Sequence, residues 1–220
     1  TAASNGLFCD FNPGDATCLA NDALRRPSYG MRRQFNEIRP KLLEPWAWSP
    51  YGDGTGQSGS VFYQTVWSLV RYVIDRYGTS DNASLTALTQ STATGMANIS
   101  AVAGVPVDQL IAQWGLALYT DDLPGVTNPD LQFATWNLRN IYASLNADPA
   151  WTSRWNTPFP ITPTSITAAT FVAPRPGLRA GAHAYFEVTT TPGQPQLLQL
   201  RGPGNTALSS LVRLAIVRIN

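Results

Sequence analysis

Histidine occurs once in these 220 residues, cysteine twice and methionine twice, and charged side chains make up only 13% of the chain. Each shortage excludes something. A hydrolytic zinc site takes about three protein ligands plus an open position. His183, Cys9 and Cys18 cannot supply that on the H-E-x-x-H pattern, which needs two histidines one helical turn apart. The charged share is about half of what a globular domain carries, and the net charge is +1. A sequence so nearly neutral has no electrostatic footprint for nucleic acid. No apolar run approaches the roughly 18 residues that span a bilayer, so the chain is read as not membrane-spanning.

Familiar reaction motifs are missing as well. There is no G-x-S-x-G elbow and no redox C-x-x-C. The glycine run from Gly52 to Gly59 lacks the G-K-[ST] ending of a phosphate loop. Asp121-Asp122 could attract a cation, but the turn after it has no EF-hand spacing, and a cap or pair at the end of the preceding helix is the simpler expectation. His183 alternates with Tyr185 and Glu187, so it is expected on a solvated strand face. No catalytic, cofactor-binding or metal-ligating residue is assigned.

What is present is a helical body. From Ser58 to Gly78 the apolar residues Phe62, Val66, Leu69, Val70, Val73 and Tyr77 recur at helical spacing. Ser58 or Ser60 can cap the start, and Gly78 is expected to stop the helix as a C′ glycine. Short helices are expected at Ser84–Gln90 and Met96–Ala103. Another runs from Val107 to Tyr119, with Leu110, Ile111, Trp114, Ala117 and Leu118 on one face. Ala134–Asn146 reads as a further helix ended by Asp148-Pro149. Tyr29–Leu43 reads as one that Pro40 kinks or ends.

Several strings in this body resemble a known family. They are W-S-L-V-R-Y-V-I-D-R-Y-G (Trp67–Gly78), L-T-Q-S-T-A-T-G-M-A-N-I (Leu88–Ile99) and A-G-V-P-V-D-Q-L-I-A-Q-W-G-L-A-L-Y-T-D-D (Ala103–Asp122). They are similar to the region downstream of the catalytic helix in bacterial secreted gluzincin-type zinc metallopeptidases, the hyicolysin-like group. N-T-P-F-P-I-T-P, A-H-A-Y-F-E-V and the final L-A-I-V-R-I-N look like the small β tail of those proteins. The resemblance covers most of the chain but not the H-E-x-x-H region, so no catalytic residue carries over.

From Ser165 the composition changes to threonine, valine and short alternating runs. Ala182–Thr190, Gln196–Leu200 and Leu211–Ile219 read as strands separated by glycine and proline turns. The fold class expected is α+β: a mainly helical domain over 1–160, with about five to six helices, and a small antiparallel β domain over 161–220 packed on it. Charge follows the same division. Residues 1–164 hold ten basic and 13 acidic side chains, net −3, and residues 165–220 hold five Arg and one Glu, net +4.

Three features bear on partners and compartment. Cys9 and Cys18 flank a Pro13-Gly14 turn, which suits a disulfide of about 2–3 kcal/mol, though two reduced thiols fit the spacing as well. The disulfide implies an oxidising compartment, periplasmic or secreted. Thr1 stands where a methionine would, read as a processed product or an excised piece. Arg25, Arg26, Arg32, Arg33, Arg39 and Lys41 form a basic cluster, read either as a solvated helix face or as a contact for anionic lipid or an acidic partner. Trp46, Trp48 and Tyr51, set between prolines, read either as an interface anchor or as a cover for the helical core.

The function expected from all this is non-catalytic. The chain would be a structural or binding subunit, a processed peptidase-like fragment serving as a membrane-extrinsic scaffold. Its partners would be other protein subunits, with a photosynthetic or respiratory membrane complex as one setting. Two alternatives stand beside it: the C-terminal part of a secreted zinc metallopeptidase, and a carbohydrate- or peptide-binding module stacking ligands on Trp46, Trp48 and Tyr51. No cofactor is expected.

Overall fold

A computed structural model of the chain describes residues 34–52, 59–147, 159–166, 177–191, 193–194 and 197–219. The Cys9–Cys18 pair and Arg25, Arg26, Arg32 and Arg33 lie outside the described residues. Among the described residues the protein is mostly helical, with six helices and a two-stranded parallel sheet near the C-terminus. Helix α1 covers 34–43, α2 Gly59–Tyr77, α3 Asp81–Gln90, α4 Gly95–Ala103, α5 Val107–Thr120 and α6 Leu138–Ala147. Strand β1 is Thr164–Ile166 and β2 is Phe186–Val188. No single described helix is long and apolar enough to cross a membrane.

Helix α2 forms where its periodicity implies, but its inward face is turned from the expected stripe: Val61, Thr65, Ser68, Leu69, Tyr72 and Val73 are buried, while Phe62, Val66, Val70 and Tyr77 are half-buried. Its buried hydroxyls are satisfied within the helix: Thr65 donates to the Val61 carbonyl at 2.7 Å and Ser68 to the Thr65 carbonyl at 2.8 Å. Gly78 ends it, but with a backbone any residue could adopt. What glycine supplies there is space, since a Cβ would lie 2.4 Å from the Ser84 hydroxyl of α3. Helix α3 begins earlier than expected, at Asp81, because Ser80 accepts from the Ala83 N–H and caps it. Gly104, at φ +71°, closes α4 with a bond to the Ser100 carbonyl, and α5 leaves at 82° after Pro106.

The core lies where α1, α2, α5 and α6 meet. Trp114, Tyr72, Phe35, Leu69 and Leu110 have essentially no exposed surface, and each large side chain so buried contributes about 1.5–3 kcal/mol. Trp136 joins Phe133 in a stack 5.2 Å apart and meets Phe35 edge-on at 5.1 Å. It precedes α6, which starts at Leu138 rather than at the expected Ala134. Residues 134–137 are not helical; two carboxylates bracket them instead. Asp75 of α2 accepts the N–H groups of Ala134 and Thr135, each at 3.1 Å. Asp121, fully buried, accepts those of Phe133 at 2.8 Å and Leu138 at 2.6 Å. The expected cap or pair at the end of the preceding helix is not what Asp121 makes; its carboxylate takes donors 12 and 17 residues on, before α6 and at its first residue, and both oxygens are occupied by them. Burial pushes its carboxyl up to about 6, against the pull of those two N–H bonds.

Four expectations are corrected. Pro40 does not end α1, which continues to residue 43. Arg39 and Lys41 are buried, not part of a solvated face: their long stems lie along the α1 side that packs on the body. The sheet is parallel, Thr164 beside Phe186 and Ile166 beside Val188, not antiparallel. The stretch 167–185 between the strands is long enough for the crossover a parallel pair needs. Residues 197–200 and 211–219 pair with no strand among the described residues, so no strand is assigned there; alternation in sequence marks a strand only where an edge is at hand to receive it.

Removing the Asp121 acceptors strands two buried donors. Asp121→Ala is expected to lower stability by about 2–5 kcal/mol in urea unfolding, with Asp121→Asn losing less. A cost under about 0.5 kcal/mol would contradict the capping role.

Candidate functional site

The aromatic loop 45–51, singled out in the sequence, is built on an amine. Lys41 lies in the last turn of α1, with no exposed surface. Its Nζ donates to the carbonyls of Pro45 and Trp48, both at 2.9 Å, and sits 5.4 Å from the centre of the Trp114 ring. Among the described residues no carboxylate pairs with it. An ammonium without a counter-charge is expensive to bury, and burial lowers the Lys41 pKa to about 7. Neutral, the amine has two hydrogens, one for each carbonyl.

His183 arrives from the other direction. Its backbone N–H donates to Pro45 at 3.0 Å, so this one carbonyl receives both Lys41 and His183. Its ring crosses Trp114 edge-on at 5.3 Å. Nε2 lies 2.9 Å from the Ile111 carbonyl of α5, and because a carbonyl only accepts, Nε2 carries the proton. Nδ1 is buried without a partner among the described residues. Burial, then the Lys41 charge, lowers the His183 pKa to about 3, while the bond to Ile111 works the other way. Gly115 makes the approach possible: a Cβ there would lie 2.1 Å from Nε2. Tyr185 completes the contact, donating to the Gly115 carbonyl at 2.5 Å, and burial raises its phenol pKa.

The expectation that His183 and Tyr185 share a solvated face is therefore overturned. They face inward, while Ala184, Phe186 and Glu187 are exposed. Alternation identifies two faces but not which is inside. Here the inward pair consists of the residues with donors for α5 carbonyls, and the alternative face offers none. Sequence reasoning missed Lys41 for a related reason: it was counted among surface charges, and only the carbonyls of a loop four to seven residues on explain its burial.

The loop's aromatics divide unequally. Trp46 and Trp48 are half-buried, and the Trp46 carbonyl accepts from the Arg179 N–H at 3.2 Å. Tyr51 is 44% exposed. Ser49 donates to the Ala180 carbonyl at 2.6 Å, and Gly181, at φ +68°, fits against the Tyr51 ring where a Cβ would come within 2.4 Å. The structure thus brings Trp46, Trp48 and Tyr51 together on one loop, with only Tyr51 offering much ring to solvent. Among the described residues no three His, Cys, Asp or Glu side chains gather closely enough to hold a metal ion.

Chemically this is a set of buried donors matched to backbone carbonyls. A low-pKa lysine is a nucleophile in principle, but here both amine hydrogens are engaged and the group has no exposed surface. The arrangement fastens 177–185 and the 45–51 loop to α5.

Two outcomes follow. With its folded-state pKa depressed, Lys41 binds a proton in the unfolded chain but not in the folded one between pH 7 and 10.5. Stability should therefore rise with pH there, by up to about 1.4 kcal/mol per unit, and the rise should vanish in Lys41→Met. Urea midpoints between pH 7 and 9.5 measure it; a flat wild-type profile would mean the ammonium stays charged. Second, Gly115→Ala should cost about 1–3 kcal/mol despite the better helix propensity of alanine. Hydrogen exchange should show the loss of protection centred on 182–186, and an unchanged pattern would count against the docking.

The chain matches no family model, no curated protein and no solved structure.

Proposed function

We propose that this polypeptide acts by contact rather than by catalysis, as a non-catalytic structural or binding part of a larger extracytoplasmic protein assembly. The observation that carries the reading is the use made of its one histidine. His183 is the sole imidazole in the sequence, and its Nε2 is committed to the Ile111 carbonyl beneath Gly115. Buried acidic groups are spent similarly, Asp75 and Asp121 on backbone N–H groups. The chemistry-bearing residues described are engaged in holding the body together. The exposed Tyr51, on the loop that also carries the half-buried Trp46 and Trp48, gives that body an aromatic contact point of the kind interfaces favour.

A second reading has one observation in its favour, the gluzincin-like strings that occupy α2, α4 and α5. On that reading the same body supports a zinc peptidase whose ligands belong to another stretch of polypeptide, and it shapes the substrate cleft without supplying ligands.

Metal analysis of purified 1–220 after incubation with zinc should give far less than one ion per chain, and peptide cleavage should be the same with and without chelator. Isolated from its natural source, the chain should travel with other polypeptides. Unit zinc stoichiometry with chelator-sensitive cleavage would overturn the reading.

A further inference from the structure

Residues 197–219 differ from everything before them. The segment runs over the surface with its apolar side chains outward: Leu211 is 88% exposed, Ile216 69% and Leu214 58%. From Arg213 to Ile219 no backbone N–H or C=O meets a partner among the described residues. The stretch Leu-Val-Arg-Leu-Ala-Ile-Val-Arg-Ile is apolar on both of its alternating sides, the pattern of a strand covered on two faces. An unpaired edge this apolar is a template for another strand.

Charge narrows the choice of strand. Residues 197–219 contain Arg201, Arg213 and Arg218 and no carboxylate. The described part of the body, 34–166, carries eight acidic and five basic side chains, net −3. Arg213 lies 3.8 Å from Asp108 of its own body, so the charges that decide a pairing are those of the edge itself, and a second copy brings an identical edge. The nine residues are also self-complementary in an antiparallel sense about Ala215. In that register Leu211 lies opposite Ile219, Leu214 opposite Ile216 and Ala215 opposite itself. Each arginine falls opposite a valine, Arg213 across from Val217 and Arg218 across from Val212, so like charges never face one another. A shift by one residue in one direction would set Arg213 directly against Arg218; in the other it would set Arg213 against Ile216 and Arg218 against Leu211, and either shift exchanges the two faces. Parallel, in-register pairing would stack both arginines on their own copies.

We infer that residues 211–219 form the interface of a symmetric dimer, pairing as antiparallel strands with the same residues of a second copy, the two-fold axis at Ala215. The inference goes beyond the contact reading and does not depend on it; it holds equally for a peptidase part.

Sedimentation velocity on the full 1–220 chain should show mass doubling with concentration. Leu214→Lys combined with Ile216→Lys should remain monomeric with an unchanged melting temperature, since both side chains are exposed in the single chain. Register is read by crosslinking. Ala215→Cys places two thiols opposite each other, whereas in Arg213→Cys the thiols sit about 13 Å apart, four residues out of register and beyond disulfide reach. Mild oxidation should link the first variant to itself and not the second; Cys9 and Cys18 are common to both and provide the background. A monomer at every concentration, a dimer indifferent to the double lysine change, or equal crosslinking at 213 and 215 would each overturn the inference.

Discussion

One carbonyl oxygen ties the described parts of this protein together. The Pro45 C=O receives the Lys41 amine from α1 and the His183 N–H from the distant 177–185 segment. Proline at this position helps, because it has no N–H of its own to place while its fixed φ holds the carbonyl in the turn. From that node the contacts run outward: Lys41 to Trp48, the Lys41 amine above Trp114, His183 to Ile111 and Tyr185 to Gly115. Helix α5 is the common floor, and its carbonyls at 111 and 115 each accept a side chain from the incoming segment. The arrangement is strict because a buried lysine without a carboxylate and a buried histidine with one ring nitrogen unpartnered are tolerable only while both are neutral.

The opposite side of the body is organised by carboxylates. Asp75 and Asp121 take backbone donors from both sides of Trp136, and so fix the non-helical turn that delivers this ring against Phe35, Trp67 and Phe133. Arg71 neutralises Asp75 at 2.6 Å and reaches Asp81 through two further bonds, which relates the start of α3 to α2. Asp121 has donors from the main chain, which pull its pKa down while burial raises it by more. Buried polar side chains at both sites, the amine of Lys41 and the carboxylates of Asp75 and Asp121, thus satisfy backbone groups outside the helices and the sheet.

How much of this could be read beforehand follows from what is local. The stripe of α5 is set by residues three and four apart, and its buried face comes out as the spacing implies, Leu110, Ile111, Trp114, Ala117 and Leu118 included; on α2 only Leu69 and Val73 of the expected stripe are buried, because Thr65 and Ser68 satisfy their hydroxyls on the helix and can face inward. The partners of Asp121 are not local, Phe133 and Leu138 lying 12 and 17 residues on, so the expected cap on the preceding helix is replaced by one at the next. Long-range choices were not legible. Nothing near residue 183 states that α5 has a glycine at 115 for the imidazole to enter. Nothing near residue 41 marks its charge as one to be buried rather than solvated. The direction of β1 against β2 is fixed by the path of the intervening chain, which alternation does not encode. The aromatic loop lay between: its residues were identifiable, but the share each keeps in contact with solvent depends on the remote Arg179–Gly181 backbone.

The low charge content has a consequence for how such a protein meets others. Of five basic side chains in the described part of the body, Arg39 and Lys41 are buried, and Arg71 and Arg76 are paired with Asp75, Asp81 and Asp130. The paired charges act only at short range, and the net −3 that the described body keeps is screened beyond a Debye length of about 8 Å. Recognition must then rest on contact, on apolar area and unsatisfied backbone, which are the two properties that residues 211–219 and the ring of Tyr51 offer to solvent. Contact of that kind discriminates through register, since a one-residue slip moves every side chain to the other face. The arginines at 213 and 218 act there as markers of position, because only certain alignments keep them off one another.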